Sequence, residues 1–552
     1  MTPGHLFVVH GRLEVLSADA RVIPTDSRFS VGDWWRPAAE LDESTPWEYL
    51  RPDAWGQDAV ERSRHRLNDD ATPEIWFFDS IASTPQGVGE KARRAVETIV
   101  SKGGQALRRG AHHAGRELPL IAIPVIGTGR GGHRLVRGQV IGSLLESLDA
   151  TARREGVDIA VVASDSRDYS ALQYRRRALG IADGLSSPLA TQARDLGRRV
   201  AAGDVAFFFG AGVSIAAGMP SWKDLLSELV TTLGLEDMRD QINRLGPLEQ
   251  AELIQVTVAD RSTLEPAASQ LALGQHVVEV LRRRAPRPSL SHALMASMHV
   301  TEAATTNYDQ LYEAAVSAAH REEEAEAPIR VLPWDRVTPG RPWLLKMHGD
   351  VDHPASIVLS RSSFVHYDSR WKPVGSLVQS LMMTKHLVVI GASMTDENLL
   401  RFAYEVAGLR ASIESPGKPT SAIGTLVHLF DDAAFSKLWQ GRFDVVVPSL
   451  EGGDAESAPR TRPEDQELRQ PDDNVQTRRA ARALTVFLDV MAMHAVEETP
   501  FLLDQRYVEE RSDEATRLVI DLNDAARRAR ELSAGDDAWS GLATLLERHG
   551  AR

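Results

Sequence analysis

The sequence predicts an α/β protein in which an α/β domain is followed by a second α/β domain with a parallel sheet and then by a helical C-terminal region. Three observations lead there. Short apolar runs alternate with helical stretches from Leu6 to about Ser164, the same alternation restarts at Val205, and glycine-rich turns follow apolar runs in both halves. At 552 residues the chain also exceeds what one hydrophobic core ordinarily serves.

In the first domain, residues 1–175, the apolar runs predict strands over 6–9, 74–79, 118–125 and 158–163. Helices are expected over 90–109 and 135–154, the second carrying Val140, Ile141, Leu144, Leu145 and Leu148 at helical spacing. A helical bridge over 190–202 opens the second domain, residues 190–450, with strands expected over 205–209, 299–305, 343–347, 386–390 and 425–430. Long helical stretches separate the first two of these strands, as parallel crossovers require. Residues 451–476 turn to Pro, Asp, Glu, Arg and Gly and read as a linker or exposed loop. Residues 477–552 read as helical. There Leu518, Leu522, Ala525, Ala529 and Leu532 form a stripe for packing against the main body or a second copy.

Composition narrows the function classes. A hydrophobic content of 43% with 25% charged residues places the chain among soluble globular proteins. Its net charge of −14 argues against a surface built chiefly for nucleic-acid phosphates. The chain has no cysteine, which excludes disulfides, thiolate metal sites and a cysteine nucleophile. No apolar run reaches bilayer length and residues 1–10 lack the features of a signal peptide, so a cytoplasmic protein without membrane contact is expected.

The densest chemistry follows the strand at 205–209. Val205-Ala-Phe-Phe-Phe runs into Gly210-Ala211-Gly212-Val213-Ser214 and then a helix, with Pro220-Ser221-Trp222 shortly after. Backbone N–H groups at such a turn can approach an anion, and the helix N-terminus favours its charge, which makes a Rossmann-like seat for a dinucleotide pyrophosphate. The glycine spacing is not the common dehydrogenase fingerprint and no Gly-Lys-Ser/Thr follows, so hydride transfer and Walker-type ATP hydrolysis fit poorly. Thr305-Thr306-Asn307-Tyr308-Asp309 ends the second strand, Lys346-Met347-His348-Gly349-Asp350 the third, and Gly391-Ala392-Ser393 with Asp396 the fourth. Ligands of open α/β sheets sit outside the carboxyl ends of the strands, where all four clusters fall. Taken singly, Gly-Ala-Gly can be a tight turn, Asn307 and Asp309 can cap one, and His348 can be a buried structural histidine.

Together, in this order, these segments resemble the sirtuin family. Residues 210–214 match its nucleotide loop, 305–309 look like its Thr-Gln-Asn-Ile-Asp motif, His348-Gly349 looks like its catalytic histidine pair, and Gly391-Ala392-Ser393 is similar to the Gly-x-Ser that holds the adenosine ribose. The likeness covers about residues 196–448. It departs from protein-deacylating members in lacking the four-cysteine zinc ribbon after His-Gly, so no zinc or other metal is implied, and in carrying Pro220-Ser221-Trp222-Lys223 for Pro-Asp-Phe-Arg. That replacement and the segment 388–400 look like the divergent branch of bacterial anti-phage systems, whose members consume NAD.

The resemblance implies an NAD glycohydrolase acting in defence by NAD depletion. NAD is then the substrate, cleaved to ADP-ribose and nicotinamide. As nicotinamide leaves, the ribose becomes oxocarbenium-like, so the site needs an oriented water and a nearby base. Asn307 would hold the water and ribose hydroxyls, His348 would take the proton, and Asp309 would orient or stabilise charge. Gly210, Ala211, Gly212 and Ser214 would bind phosphate, with Pro220, Trp222, Thr305, Gly391, Ser393 and Asp396 completing the cofactor site. NAD-dependent protein deacylation or ADP-ribosyl transfer is a second reading, and a non-catalytic NAD or ADP-ribose sensor a third. The resemblance also implies a homo-oligomer with an ATPase or sensor protein as partner, and a costly reaction attached to two accessory regions leads to the expectation that it is held inactive until a terminal region senses a trigger.

In the first domain, Gly127-Thr128-Gly129-Arg130-Gly131-Gly132 lies between a strand and a helix, a geometry suited to a diphosphate. With the opening segments 6–13 and 19–26 it resembles the macro domains, which bind ADP-ribose. Gly11-Arg12-Leu13 stands where those domains commonly have Gly-Asp-Ile, and Pro24-Thr25-Asp26-Ser27 where they have Asn-Ala-Ala-Asn. The implied role is a sensor for an ADP-ribose-like ligand or a degenerate scaffold, not a hydrolase. The acidic run 322–326 reads as a solvated helix end or loop.

Overall fold

The computed structural model describes residues 2–65, 73–127, 133, 135–181, 184–262, 265–284, 286–320, 328–413, 422–451, 471–496, 499–507, 512–534 and 536–551. The loop at 128–132, the acidic run at 322–326 and residues 452–470 of the expected linker lie outside these. The chain divides into two compact units: Met1–Ala201 with Ala318–Arg321 and Val486–Arg552, and Ala202–Ser317 with Glu322–Thr485. Among the described residues no helix is long and apolar enough to cross a membrane.

Among the described residues the first unit is built on six strands: β1 (Leu6–His10), β2 (Ala20–Thr25), β3 (Val60–Arg62), β4 (Glu74–Asp79), β5 (Leu120–Pro124) and β6 (Asp158–Ala163). Their order is β1-β6-β5-β2-β4-β3, parallel except where β3 meets β4. Every residue of β1, β4, β5 and β6 is buried, as strands covered by helices on both faces must be. The helix Arg137–Glu155 lays its expected stripe, Val140 to Leu148, into this core beside Val88, Ala92 and Val96 of the helix Pro85–His113. Short, partly exposed β3 was not anticipated: an edge strand carries little apolar signal.

Residues from Val486 onward complete this unit. Asp489, fully buried, receives Arg176 through Nη1 at 3.1 Å and Nη2 at 2.5 Å, and faces Nε2 of His5 at 2.8 Å. Burial alone would raise this carboxyl, but the Arg176 guanidinium and His5 outweigh it and hold it below the usual carboxylate range. Phe501 and Tyr507 join the core, and the helices Asp513–Ser533 and Ser540–Arg548 share a smaller one. The expected C-terminal stripe holds in part: Ala529 is buried and Leu522 and Ala525 pack against the smaller core, which Val519 and Ala526 fill, while Leu518 and Leu532 are about half exposed. The helix Pro471–Ala495 begins inside the segment read as a linker, since proline at the first helical position and acidic residues in the first turn suit a helix start.

Among the described residues the second unit carries seven strands, all parallel: β7 (Val205–Phe209), β8 (Glu302–Thr305), β9 (Arg330–Leu332), β10 (Trp343–Lys346), β11 (His386–Ile390), β12 (Gly424–Val427) and β13 (Phe443–Val446). Their order is β13-β12-β11-β7-β8-β10-β9. This is a Rossmann-like arrangement in which β7 lies at the centre and the order reverses beside it, so the ligand crevice of such sheets falls between β7 and β11. Expected strands 205–209 and 386–390 coincide with β7 and β11. Strand β8 starts later than expected because His299 adopts a left-handed backbone, φ 51°, which extended pairing excludes.

Between β7 and β8 the crossover is a helical module, Trp222–Thr232, Pro247–Ser262 and Pro266–Arg283. Its apolar faces, among them Leu226, Leu229, Ile254 and Val277, pack with Tyr308 and Leu311 after β8 and with Val351, Ile357 and Leu359 after β10. A Cβ at Gly274 would stand 2.0 Å from the Pro354 carbonyl oxygen, so the helix meets the loop after β10 backbone to backbone.

Removing Asp489 leaves the buried Arg176 guanidinium without its anion and the buried His5 ring without its partner. Asp489→Ala should destabilise the first unit by about 3–5 kcal/mol, measured as a lowered midpoint in chemical denaturation of the full chain; a shift below about 1 kcal/mol would contradict this account.

Candidate active site

The register of the second sheet sets the frame of the site. Ile390 pairs with Phe209, Phe209 with Thr305, and Thr305 with Lys346, and each is the last residue of its strand. Four neighbouring strands, β11, β7, β8 and β10, therefore end in one row. Adjacent strands lie about 4.8 Å apart, so the loops carrying Gly391, Gly210, Asn307 and His348 leave the sheet side by side and at one height.

The two glycine loops touch. Gly210 N–H donates to Ile390 O at 3.1 Å and Gly212 N–H to Gly391 O at 2.9 Å. A Cβ at Gly212 would lie 2.7 Å from Gly391 O, and one at Gly391, where φ is 62°, would lie 2.7 Å from Val213 N. The glycines are thus required by the close approach of two loops, a demand separate from any ligand. Read from sequence as anion donors, the N–H groups of Gly210 and Gly212 are engaged by the β11 loop, while Ala211 and Gly212 remain exposed.

Ser214, expected to bind phosphate, is instead the buried centre of a network. Its hydroxyl donates to Asp309 Oδ2 at 3.0 Å, accepts from Asn307 Nδ2 at 3.0 Å, and faces His292 Nε2 at 3.3 Å. One donor and two acceptor positions are all that a hydroxyl has, so this side chain has no place left for an anion. Asn307 gives its other amide hydrogen to Gly210 O at 3.3 Å. Because a carbonyl only accepts, this contact fixes which end of the amide is nitrogen and leaves Oδ1 as the group Asn307 can offer a ligand. Thr305 holds the backbone below: its hydroxyl donates to Phe209 O at 2.8 Å and accepts from Asn307 N–H at 3.0 Å. Asp309 Oδ1 accepts from Leu311 N–H at 3.1 Å, tying the network to the helix Leu311–Ala318.

His348 is buried against Phe364 and Tyr367, edge to face. Its Nε2 lies 3.1 Å from Asp396 Oδ2, off hydrogen-bond alignment. Asp396 Oδ1 accepts from Leu399 N–H at 2.8 Å at the start of the helix Glu397–Ile413. Burial raises the Asp396 carboxyl, but His348 and the backbone N–H groups of Leu399 and Asn398 outweigh it and leave it below the ordinary range. Beneath, fully buried Lys346 lies 2.8 Å from Glu313 and 2.9 Å from Asp350, and also donates to Asp309 O. Burial disfavours its charge, yet these neighbours hold the ammonium above the ordinary lysine range.

The expected residues thus gather in three groups: Ser214, Thr305, Asn307 and Asp309; His348 with Asp396; and the glycine pair of loops. Pro220, Trp222 and Ser393 stand apart from these contacts. Trp222 opens a helix and packs against both cores of the unit, Pro220 is half-buried before it, and Ser393 is exposed with its hydroxyl 2.6 Å from that of Thr395. Of the second expected ligand site only Gly127 is described, at the end of β5 with φ 76°; Thr128, Gly129, Arg130 and Gly131 lie outside the described residues. Among the described residues no group of three or more His, Asp or Glu is placed to hold a metal ion.

Sequence reasoning missed His292. The one local signal was Ser289 three residues ahead of it at a helix start, a capping-box spacing with histidine in place of Glu or Gln. Its side chain reaches Ser214, 78 positions away, only through the fold.

With this geometry in place, the chain can be set beside known proteins. Residues 301–435 match the SIR2-like domain family. The match runs from the start of β8 past Asp396 and takes in Asn307 and His348. The chain is 26% identical over 218 residues to the NAD(+) hydrolase ThsA of Bacillus cereus (strain MSX-D12), covering 38% of this chain and 43% of that protein. It is 28% identical over 206 residues to the NAD(+) hydrolase ThsA of Enterococcus faecium, covering 37% and 40%. A third relative, the NAD(+) hydrolase ThsA of Acinetobacter baumannii (strain 532279), is 26% identical over 195 residues, covering 35% and 37%. The chain spans about two fifths of the length of the curated relatives it matches.

Burial, with Lys346 nearby and against the pull of Asp309, lowers the His292 imidazole to about 4, so it is neutral at pH 7. The unfolded chain, whose histidine titrates near its ordinary 6.5, binds more protons than the folded one between these values. Stability from this group is therefore complete above about pH 6.5 and falls as pH drops toward 4, by about 3 kcal/mol in all. The pH profile of the denaturation midpoint should be flatter for His292→Gln than for the wild type across that window; parallel profiles would refute the assignment.

Proposed function

We propose that the second unit hydrolyses NAD at the bond between nicotinamide and ribose, giving nicotinamide and ADP-ribose. The observation that carries this reading is the placement of Asn307 and His348 two residues beyond the paired ends of neighbouring strands, Thr305 and Lys346, beside the contact of the two glycine loops. The SIR2-like match and the relatives named NAD(+) hydrolase support it. Asn307 Oδ1, an acceptor, holds the attacking water or a ribose hydroxyl. The C1′–N bond breaks with its electron pair going to nicotinamide, which leaves neutral, while the water oxygen bonds to C1′. With Nε2 of His348 against Asp396, Nδ1 is the ring nitrogen left to take the water proton, and the Asp396 carboxylate stabilises the imidazolium.

The resemblance to anti-phage NAD-consuming proteins extends this reading to defence by NAD depletion, carried out by a cytoplasmic homo-oligomer with an ATPase or sensor protein as partner. The first unit, whose described Gly127 follows β5, is read as macro-like and as a sensor for an ADP-ribose-like ligand.

The test is chromatographic. The full chain incubated with NAD should release nicotinamide and ADP-ribose without any peptide, and Asn307→Ala and His348→Ala should each lower turnover by about 10²-fold or more. Product that forms only with an acyl-lysine peptide would favour deacylation, and undiminished turnover in both variants would place the chemistry elsewhere.

A further inference from the structure

We propose that His292, outside every motif at the strand ends, is a positioning residue that sets the orientation of the Asn307 amide through Ser214. The inference rests on the hydrolase reading for its catalytic consequence, but its structural content stands on contacts already in place. Ser289 N–H points at His292 Nδ1 at 3.2 Å, and the Ser289 hydroxyl, 2.9 Å from the same nitrogen, gives its own hydrogen to Val213 O at 2.9 Å. A nitrogen that accepts a backbone N–H carries no hydrogen, so the neutral ring bears its proton on Nε2 and donates it to Ser214.

That donation decides the rest. The ring fills one acceptor position of the Ser214 oxygen, and the carboxylate of Asp309, able only to accept, takes the hydroxyl hydrogen. One acceptor position remains, and Asn307 Nδ2 occupies it. With Gly210 O holding the second amide hydrogen, the amide cannot rotate without placing its oxygen against Gly210 O and losing both bonds. His292 is completely buried and anchored by the cap of the helix Leu290–Ser297, so the orientation of Asn307 is set from a rigid element and not by the ligand.

The experiment compares full-length wild type, His292→Leu, His292→Gln and Ser214→Ala. Leucine keeps the volume and removes the donor, whereas the glutamine amide can still donate N–H where Nε2 stood. In NAD turnover, His292→Leu should lose about 10- to 100-fold in kcat with KM changed less than about 3-fold, Ser214→Ala should do the same, and His292→Gln should recover most of the loss. Loss that is equal in the Leu and Gln variants, or wild-type kcat in His292→Leu, overturns the proposal. The second measurement does not depend on turnover: with selectively 15N-labelled asparagine, the Asn307 side-chain amide signals, identified by their disappearance in Asn307→Ala, should shift in His292→Leu and return in His292→Gln. Unmoved signals overturn the proposal, including in Ser214→Ala should the leucine variant fail to fold. Signals that behave as expected in a wild type that releases no nicotinamide would uphold His292 and sink the hydrolase reading instead.

Discussion

The common level at which β11, β7, β8 and β10 stop is the constraint on which everything else in the second unit depends. Parallel pairing fixes the height of each strand relative to its neighbours, so ending each at a paired residue aligns four loops without any contact among their side chains. The glycines then let two of those loops meet backbone to backbone, and the polar side chains stand in the frame so made. Shifting one strand by a single position would turn its side chains to the opposite face and remove its loop from the row.

Within that frame the work is divided among buried groups. Lys346 neutralises carboxylates beneath the site, Asp396 both starts a helix and faces His348, and Ser214 ties together three elements distant in sequence. Lys346 and Ser214 are fully buried and the Asp396 side chain is mostly so, which shields them from the weakening effect of water. In a low-dielectric interior each charge or dipole is costly unless met by a partner, and for that reason the partners define the orientation of the few groups left facing outward.

Much of this was legible before any coordinates. The central strands β7 and β11 are continuous apolar runs, and the helix Arg137–Glu155 buries the stripe read from its spacing. The clusters around Asn307, His348 and Gly391 could be placed at strand ends because polar residues abruptly follow apolar ones. Edge strands such as β3 and β9 are too short and too exposed to leave a pattern. The buried contacts of Ser214 were not legible, because a serine after a glycine loop has the same sequence whether it faces a phosphate or a buried carboxylate. His292 left almost no trace, since nothing in the order of residues says that positions 214 and 292 touch.

The loop that follows His348 has a consequence of its own. An α-helical face, tight at Gly274 and joined through the Arg361–Glu249 ion pair at 2.6 Å, holds it by shape and charge. The chain has no cysteine, so this hold contains no thiol for an oxidant to modify. Thiol-directed oxidants therefore leave the contacts that hold this loop chemically unchanged.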